Sequence, residues 1–286
     1  MAQIAHLRLL DWQAVTVSDG PPENSPLLQL LSTAEPCVES VDAQLYVRLA
    51  NTGAKPLLFR CSDGKSYWSK WPDNPHGNLS LFNELVVAGV GGALGAPFRP
   101  VKLVEVSDEL VADLRIDGQR LPGGTYIGSE LLEHSEESTE VSRVASDGNR
   151  ERYPFLLAVF DLCLGDDMQL LHDQDDDQAV WSIDHGLWFW STEGDWSPAT
   201  LASMMQSSGM WGARPRGLSV EALLQAADGV DHLKADDLAP IWASTPTAWG
   251  IDDEHRAALL QFVLDRRSGV SGRLRSLSSY YARTSS

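Results

Sequence analysis

The sequence predicts an α+β protein of two lobes, a small sheet-bearing one followed by a larger, mainly helical one. Three observations lead there. Between Ala43 and Trp71, three short apolar and aromatic runs alternate with turn residues, as in an antiparallel meander. A helical spacing of apolar residues follows at Leu81, Leu85, Val86 and Val90, and strand character then returns. From Tyr153 onward the apolar residues recur mainly at helical spacing.

Taken in order, the first forty residues carry one loop signal, Asp19–Pro26, and a run, "SPLLQLLSTA", that fits a short helix or a strand. Ala43–Ala50 reads as a strand, "NTGAK" (Asn51–Lys55) as a turn, and Pro56–Ser62 as a second strand. "DGK" turns the chain into a third strand, "SYWSKW" (Ser66–Trp71). "LSLFNELVVAGVGGALG" (Leu79–Gly95) is a helix that Gly95 can end, and Ala96–Ser107 is the next strand. "DGQRLPGGTYIG" (Asp117–Gly128) is the expected hinge, which divides one domain into lobes of residues 1–118 and 119–286. Glu133–Pro154 is polar and reads as a surface connection, and Tyr153–Gly165 as a buried helix. Asp252–Leu277 opens with capping aspartates and is amphipathic through Leu259, Phe262, Val263 and Arg266. Trp188, Trp190, Trp196 and Trp211 are expected to pack the helical lobe.

Composition narrows the function. A net charge of −18 disfavours nonspecific binding to nucleic acid, because like charges repel. No window approaches the roughly 18–20 apolar residues that span a bilayer. The opening "MAQIAHLRLLDWQAV" lacks a basic segment followed by an apolar run, so no secretory leader is expected. Cys37, Cys61 and Cys163 are odd in number and scattered, which suits a reducing cytoplasm. From Tyr153 to Ala213 there is no Lys or Arg, yet the span holds ten carboxylates. "DQDDDQ" (Asp173–Gln178) fits a solvated loop; Asp161 and Asp184 sit in apolar surroundings and do not.

A cleft between two such lobes can hold a nucleotide, and three features would serve it. A lysine on the third strand would hold phosphate charge, oriented by a glutamate on the following helix; Lys70 and Glu84 fill those places. A tight turn over the phosphates would come from "NTGAK", with Thr52 and Gly53 at its centre, although one glycine also fits an ordinary hairpin. An aspartate at a strand end would bind magnesium, and Asp184 in "SIDHG" fits, with Gly186 letting the backbone turn sharply.

The stretches Asp63–Val106, "FDLCLGDDMQLLHDQDDDQAVWSIDHGLWF" (Phe160–Phe189) and "PTAWGIDDEHRAALLQFVLDRR" (Pro246–Arg267) resemble HipA-like kinases, the compact HipA-related group in particular. The lysine on its strand, the Asn83-Glu84 pair, and "IDHG" where protein kinases have Asp-Phe-Gly carry the likeness. More distantly, "IDHG" is similar to the segment in phosphoinositide-kinase relatives. The resemblance spans Gln44–Leu277. It implies a protein-kinase-like fold, ATP and magnesium as cofactors, and transfer to a protein Ser/Thr hydroxyl.

The catalytic segment departs from the family pattern, in which an Asp-Arg pair is followed by a metal-binding Asn. Aligned without gaps from Asp161 and Gly165, the catalytic aspartate falls on Met168 and the metal ligand on Asp173. Shifted by one residue, these become Asp167 and His172. A thioether cannot take a proton, while magnesium prefers carboxylate oxygen to imidazole. The resulting expectation is Asp167 as base with Asp166 as its substitute, and Asp184 with Asp173, or His172, on the metal. Both registers lose the arginine. A protein kinase and a pseudokinase kept as a nucleotide-binding or regulatory module therefore both stand. A protein substrate or regulatory protein partner is expected in either case.

Overall fold

The computed structural model describes residues 25–51, 55–146, 148–189, 195–209 and 215–284. The ambiguous run after Ser25 is helix α1 (Pro26–Thr33), with proline in the first turn, where its missing N–H removes no bond. Strands β1 (Ser40–Leu49), β2 (Leu57–Cys61) and β3 (Ser66–Lys70) form the expected antiparallel meander. Alternation decides their faces. Leu57, Phe59, Cys61 and Tyr67 point into one apolar core, where Phe59 packs edge-on against Tyr46 and Tyr126. Trp68 and Lys70 point the other way.

The helix predicted at Leu79–Gly95 is α2 (Gly77–Ala93), and Gly95 just beyond it takes the left-handed conformation that ends it, φ 65°. The following strand is β4 (Val101–Val106), shorter than expected because Pro97 and Pro100 occupy its first half. A short helix α3 (Asp108–Val111) and the two-residue strands β5 (Arg115–Ile116) and β6 (Gln119–Arg120) lead to β7 (Gly124–Glu130). The last of these corrects the expected hinge. β7 lies between β3 and β4, hydrogen-bonded to both, so the sheet continues to Glu130 and the boundary at residue 118 cuts it. The sheet closes on itself in the order β1-β2-β3-β7-β4, and β4 runs parallel to the first residues of β1. It is therefore not a purely antiparallel sheet.

Beyond Glu130 the polar connection contains a strand, β8 (Ser135–Ser138), and leads to α4 (Asn149–Leu162). β8 pairs with β9 (Gln169–Asp173), which pairs with β10 (Ala179–Ile183). Helices α5 (Pro198–Ser203), α6 (Val220–His232), α7 (Ala235–Ala243), α8 (Asp253–Asp265) and α9 (Arg267–Thr284) complete the described chain. The helix expected at Asp252–Leu277 is thus two. Asp252 caps the first as predicted, its side chain accepting from the His255 N–H. The break falls at Arg266, whose guanidinium turns inward onto the carbonyls of Asp161 and Leu162 at the end of α4.

The larger core joins α4 and α6–α9 with α2. Chain order assigns α2 to the sheet lobe, yet it packs Phe82 edge-on to Trp242 of α7, and Gly89 of α2 meets Ile241 so closely that a β-carbon would clash. Trp188 and Trp196 are buried in this core as predicted; Trp190 and Trp211 lie outside the described residues. Among the described residues no helix is long and apolar enough to cross a membrane.

Candidate functional site

β3 ends at Lys70 and delivers its ammonium to the place where α2 and the end of β10 meet. Lys70 Nζ donates to Glu84 Oε1 and, at 2.6 Å, to Asp184 Oδ1. The trio is largely withdrawn from water, with side-chain exposures of 12%, 8% and 27%. Burial alone would push the lysine down, but the charges of Glu84 and Asp184 outweigh it and hold Lys70 above its ordinary value. Burial likewise works to raise Glu84, and the Lys70 ammonium, with His185, more than reverses it, so this carboxyl sits far below the usual range.

Glu84 also fixes the segment after β10. Its Oε1 accepts the backbone N–H groups of His185 and Gly186, both at 3.0 Å. Its Oε2 lies 3.3 Å from His185 Nδ1, and the far nitrogen of that ring meets Ser182 Oγ at 3.0 Å. Asn83, the preceding residue of α2, donates to the Gly186 carbonyl at 2.8 Å and accepts from Trp196 Nε1 at 2.9 Å. The sequence suggests Gly186 for the sharp turn. The left-handed residue is Asp184 itself, φ 57°, and Gly186 is small because a β-carbon there would stand 3.3 Å from Lys70 Nζ and from the Ser80 carbonyl.

This trio closes one end of a cavity of about 330 Å³. Trp68 and Ile127 of the closed sheet line one side, Leu171 and Ile183 of the β9–β10 hairpin the other, and the connection after Glu130 its third wall. The lining also holds Arg48, Glu130, Glu133 and Glu137, so the cavity sets apolar faces beside charged groups and can take a ligand that is part apolar and part charged.

The remaining predicted residues divide. Asp166 and Asp167 are exposed and lie three and two residues before β9 begins. Since Gln169 pairs with Ile183, they emerge at the same end of the hairpin as Asp184. The Asp167 carboxylate accepts from Gln169 Nε2 at 2.8 Å, and its carbonyl accepts from Trp188 Nε1 at 3.2 Å. Asp173 is not brought to Asp184. It sits opposite Ala179 at the far end of β9, about 13 Å along the strand, where its carboxylate binds the N–H of Asp175 in the turn. His172 is also displaced: it is buried on the face of β9 opposite Leu171, its ring between Ser142 Oγ at 3.2 Å and the Gln178 carbonyl at 3.3 Å. Burial holds it below the ordinary histidine value. Thr52 and Gly53 lie outside the described residues. Among the described residues no three His, Cys, Asp or Glu side chains gather into a ready-made metal site.

The acidic run Gln174–Asp177 is the exposed turn the sequence predicts. Asp161 instead holds the helices together. It is buried and accepts from Arg273 Nε at 2.6 Å, from Arg273 Nη2 at 3.0 Å and from the Gly209 N–H at 2.9 Å. Sequence reasoning missed Gln169 and Trp68 at the cavity wall. Strand parity with Leu171 and with Lys70 was the signal available for each.

A family model of HipA-like kinases matches residues 43–194, more than half of the chain, and that span holds Lys70, Glu84 and Asp184. The chain belongs to the HipA-like kinase family. Among solved structures, this HipA-like kinase is similar to the Helicobacter pylori proinflammatory kinase CtkA, with a TM-score of 0.54 at 9% identity over 85% of this chain and 98% of that one. That likeness shows a protein-kinase-like fold. The Golgi casein kinase with Mn/ADP bound gives a TM-score of 0.46 at 11% identity over 89% of this chain and 76% of that one. No curated protein matches the chain.

Proposed function

We propose that this chain catalyses ATP- and magnesium-dependent phosphoryl transfer to a protein Ser or Thr hydroxyl. One observation carries the reading: Lys70, Glu84 and Asp184, from three separate stretches of the chain, converge at a cavity lined by the closed sheet, the β9–β10 hairpin and the connection after Glu130. Lys70 would hold phosphate oxygens there. Glu84, anchored by two backbone N–H groups, would keep the ammonium in place.

The donor chemistry fits magnesium. Asp184 offers carboxylate oxygen, and Gln169, at the same end of the hairpin, offers amide oxygen, the hard ligands this ion takes. Bound there, magnesium would neutralise phosphate charge. Asp167, with Asp166 beside it, would orient the acceptor hydroxyl and take its proton. Asp173 and His172 have no part, since the hairpin holds them elsewhere. In this chemistry positioning and charge neutralisation supply most of the rate, so the lost arginine is tolerated. The protein acceptor and the cytoplasmic setting rest on the family resemblance and on three free cysteines.

Asp184→Asn tests the reading. Transfer of labelled γ-phosphate to a protein acceptor or to the chain itself should fall about a hundredfold or more, the scale of losing one transition-state electrostatic contact. Undiminished labelling overturns it. A second reading, a nucleotide-binding pseudokinase, is favoured by Met168 standing directly after Asp167, where the Asp-Arg pair has its arginine. It expects a thermal shift with ATP and Mg²⁺ or Mn²⁺ but no transfer in the unmodified chain.

A further inference from the structure

We infer that Trp188 is a positioning residue that holds Asp167 where it can take the acceptor proton. The inference rests on the phosphoryl-transfer reading above. Trp188 is buried, four residues beyond Asp184, and its indole Nε1–H donates to the Asp167 carbonyl at 3.2 Å. Asp167 is itself exposed, so its place depends on what tethers it. The indole bond fixes its backbone from a sheltered donor. A second restraint acts on its carboxylate, which accepts from Gln169 Nε2 at 2.8 Å. Gln169 lines the cavity together with Asp184, so the Asp167 carboxylate stands one side chain away from that space. Met168, between the two, packs against the helical core. Among the described residues Asp166 has neither restraint.

Trp188 can serve as a fixed point because its surroundings hold it on several sides. Its ring meets His185 edge-on, 4.8 Å between centroids, and Phe160 of α4 at 5.1 Å, with Phe98 at 6.1 Å. Its carbonyl accepts from Asn83 Nδ2 at 3.4 Å, next in sequence to the Glu84 that binds the amides of His185 and Gly186. The segment that carries Asp167 is pressed onto the same cluster. A β-carbon at Gly165 would stand 2.4 Å from the Phe160 ring, and the Cys163 carbonyl accepts the Phe189 N–H at 3.0 Å. One turn of α2 thus reaches both ends of the chemistry: Asp184 through Glu84 and Lys70, and Asp167 through Asn83 and Trp188. Rate is steep in that placement, since a displacement of about 1 Å can cost a hundredfold.

The test uses the full chain with ATP and Mg²⁺, following transfer of labelled γ-phosphate to the chain itself and to myelin basic protein. Trp188→Phe removes the donor and some packing. Replacing Trp188 by 3-benzothienylalanine, which has sulfur in place of the N–H, removes the donor alone. Both should lower kcat about tenfold, the scale of one hydrogen bond, with KM for ATP within about twofold of wild type. Only Trp188→Phe should also lower the melting temperature. In an Asp167→Asn background the benzothienyl replacement should cost no further activity, because the carbonyl it frees belongs to a residue that no longer takes the proton. Unchanged kcat in the benzothienyl variant, a loss carried by the KM for ATP alone, or a full tenfold loss on top of Asp167→Asn overturns the inference while leaving the transfer reading intact. No transfer by the wild type overturns both.

Discussion

Glu84 gathers three donors onto one carboxylate oxygen: the Lys70 ammonium and the N–H groups of His185 and Gly186. Replacing it with glutamine keeps the shape and removes the charge. Lys70 would keep Asp184 as a counter-ion, so the loss should stay below that of an orphaned buried charge, roughly 1–3 kcal/mol by urea unfolding at neutral pH. The pH dependence has a definite sign. Glu84 is depressed below 4.5 in the fold, so its contribution is complete above about pH 4.5 and fades as pH falls through the lower folded value. Lys70 is raised above 10.5, so its contribution is complete below about that pH and fades as pH rises beyond it. Glu84→Gln should therefore flatten the acid limb of the stability profile. An acid limb as steep as in wild type would show that Glu84 is not its source. Lys70 and Glu84 were legible in the sequence because a strand end followed by a helix leaves few places for either. Trp68 was not, since an aromatic in a strand is by default a core residue.

At the scale of the element, the β9–β10 hairpin sorts the carboxylates. Its period of two sends Gln169 and Leu171 to the cleft and turns His172 away, while its length carries Asp173 to the opposite end. Counting residues forward from Gly165 runs past the loop and into the strand, because the sequence does not mark where Gln169 begins to pair. A register is a property of two strands, and only one can be read at a time. Asp173→Asn should accordingly leave phosphoryl transfer within about twofold of wild type, whereas Asp167→Asn should lower it about a hundredfold by removing the proton acceptor. The reverse ranking would restore Asp173 to the site. The left-handed Asp184 was likewise hidden, since nothing in "SIDHG" distinguishes a turn at the aspartate from one at the glycine.

Over the whole molecule, the sheet part and the helical part share more than a cleft. α2 follows the sheet's third strand in the chain yet is buried in the core of the helices, and β7 beyond residue 118 is a central strand of the closed sheet. A fragment of residues 1–118 would leave β3 and β4 without the strand between them and the apolar surface of α2 without its core. It should lack a cooperative melt in circular dichroism, and a folded fragment would reinstate the expected boundary. The order of strands, helix and strands was visible because periodicity is local; which core a helix joins is not. The pinned segment after Asp184 has one more consequence. An inhibitor that demands Asp184 rotated away from Lys70 would have to strip the His185 and Gly186 amides from an ionised, sheltered Glu84. Compounds selected against this cleft should therefore favour scaffolds that leave the aspartate where it stands.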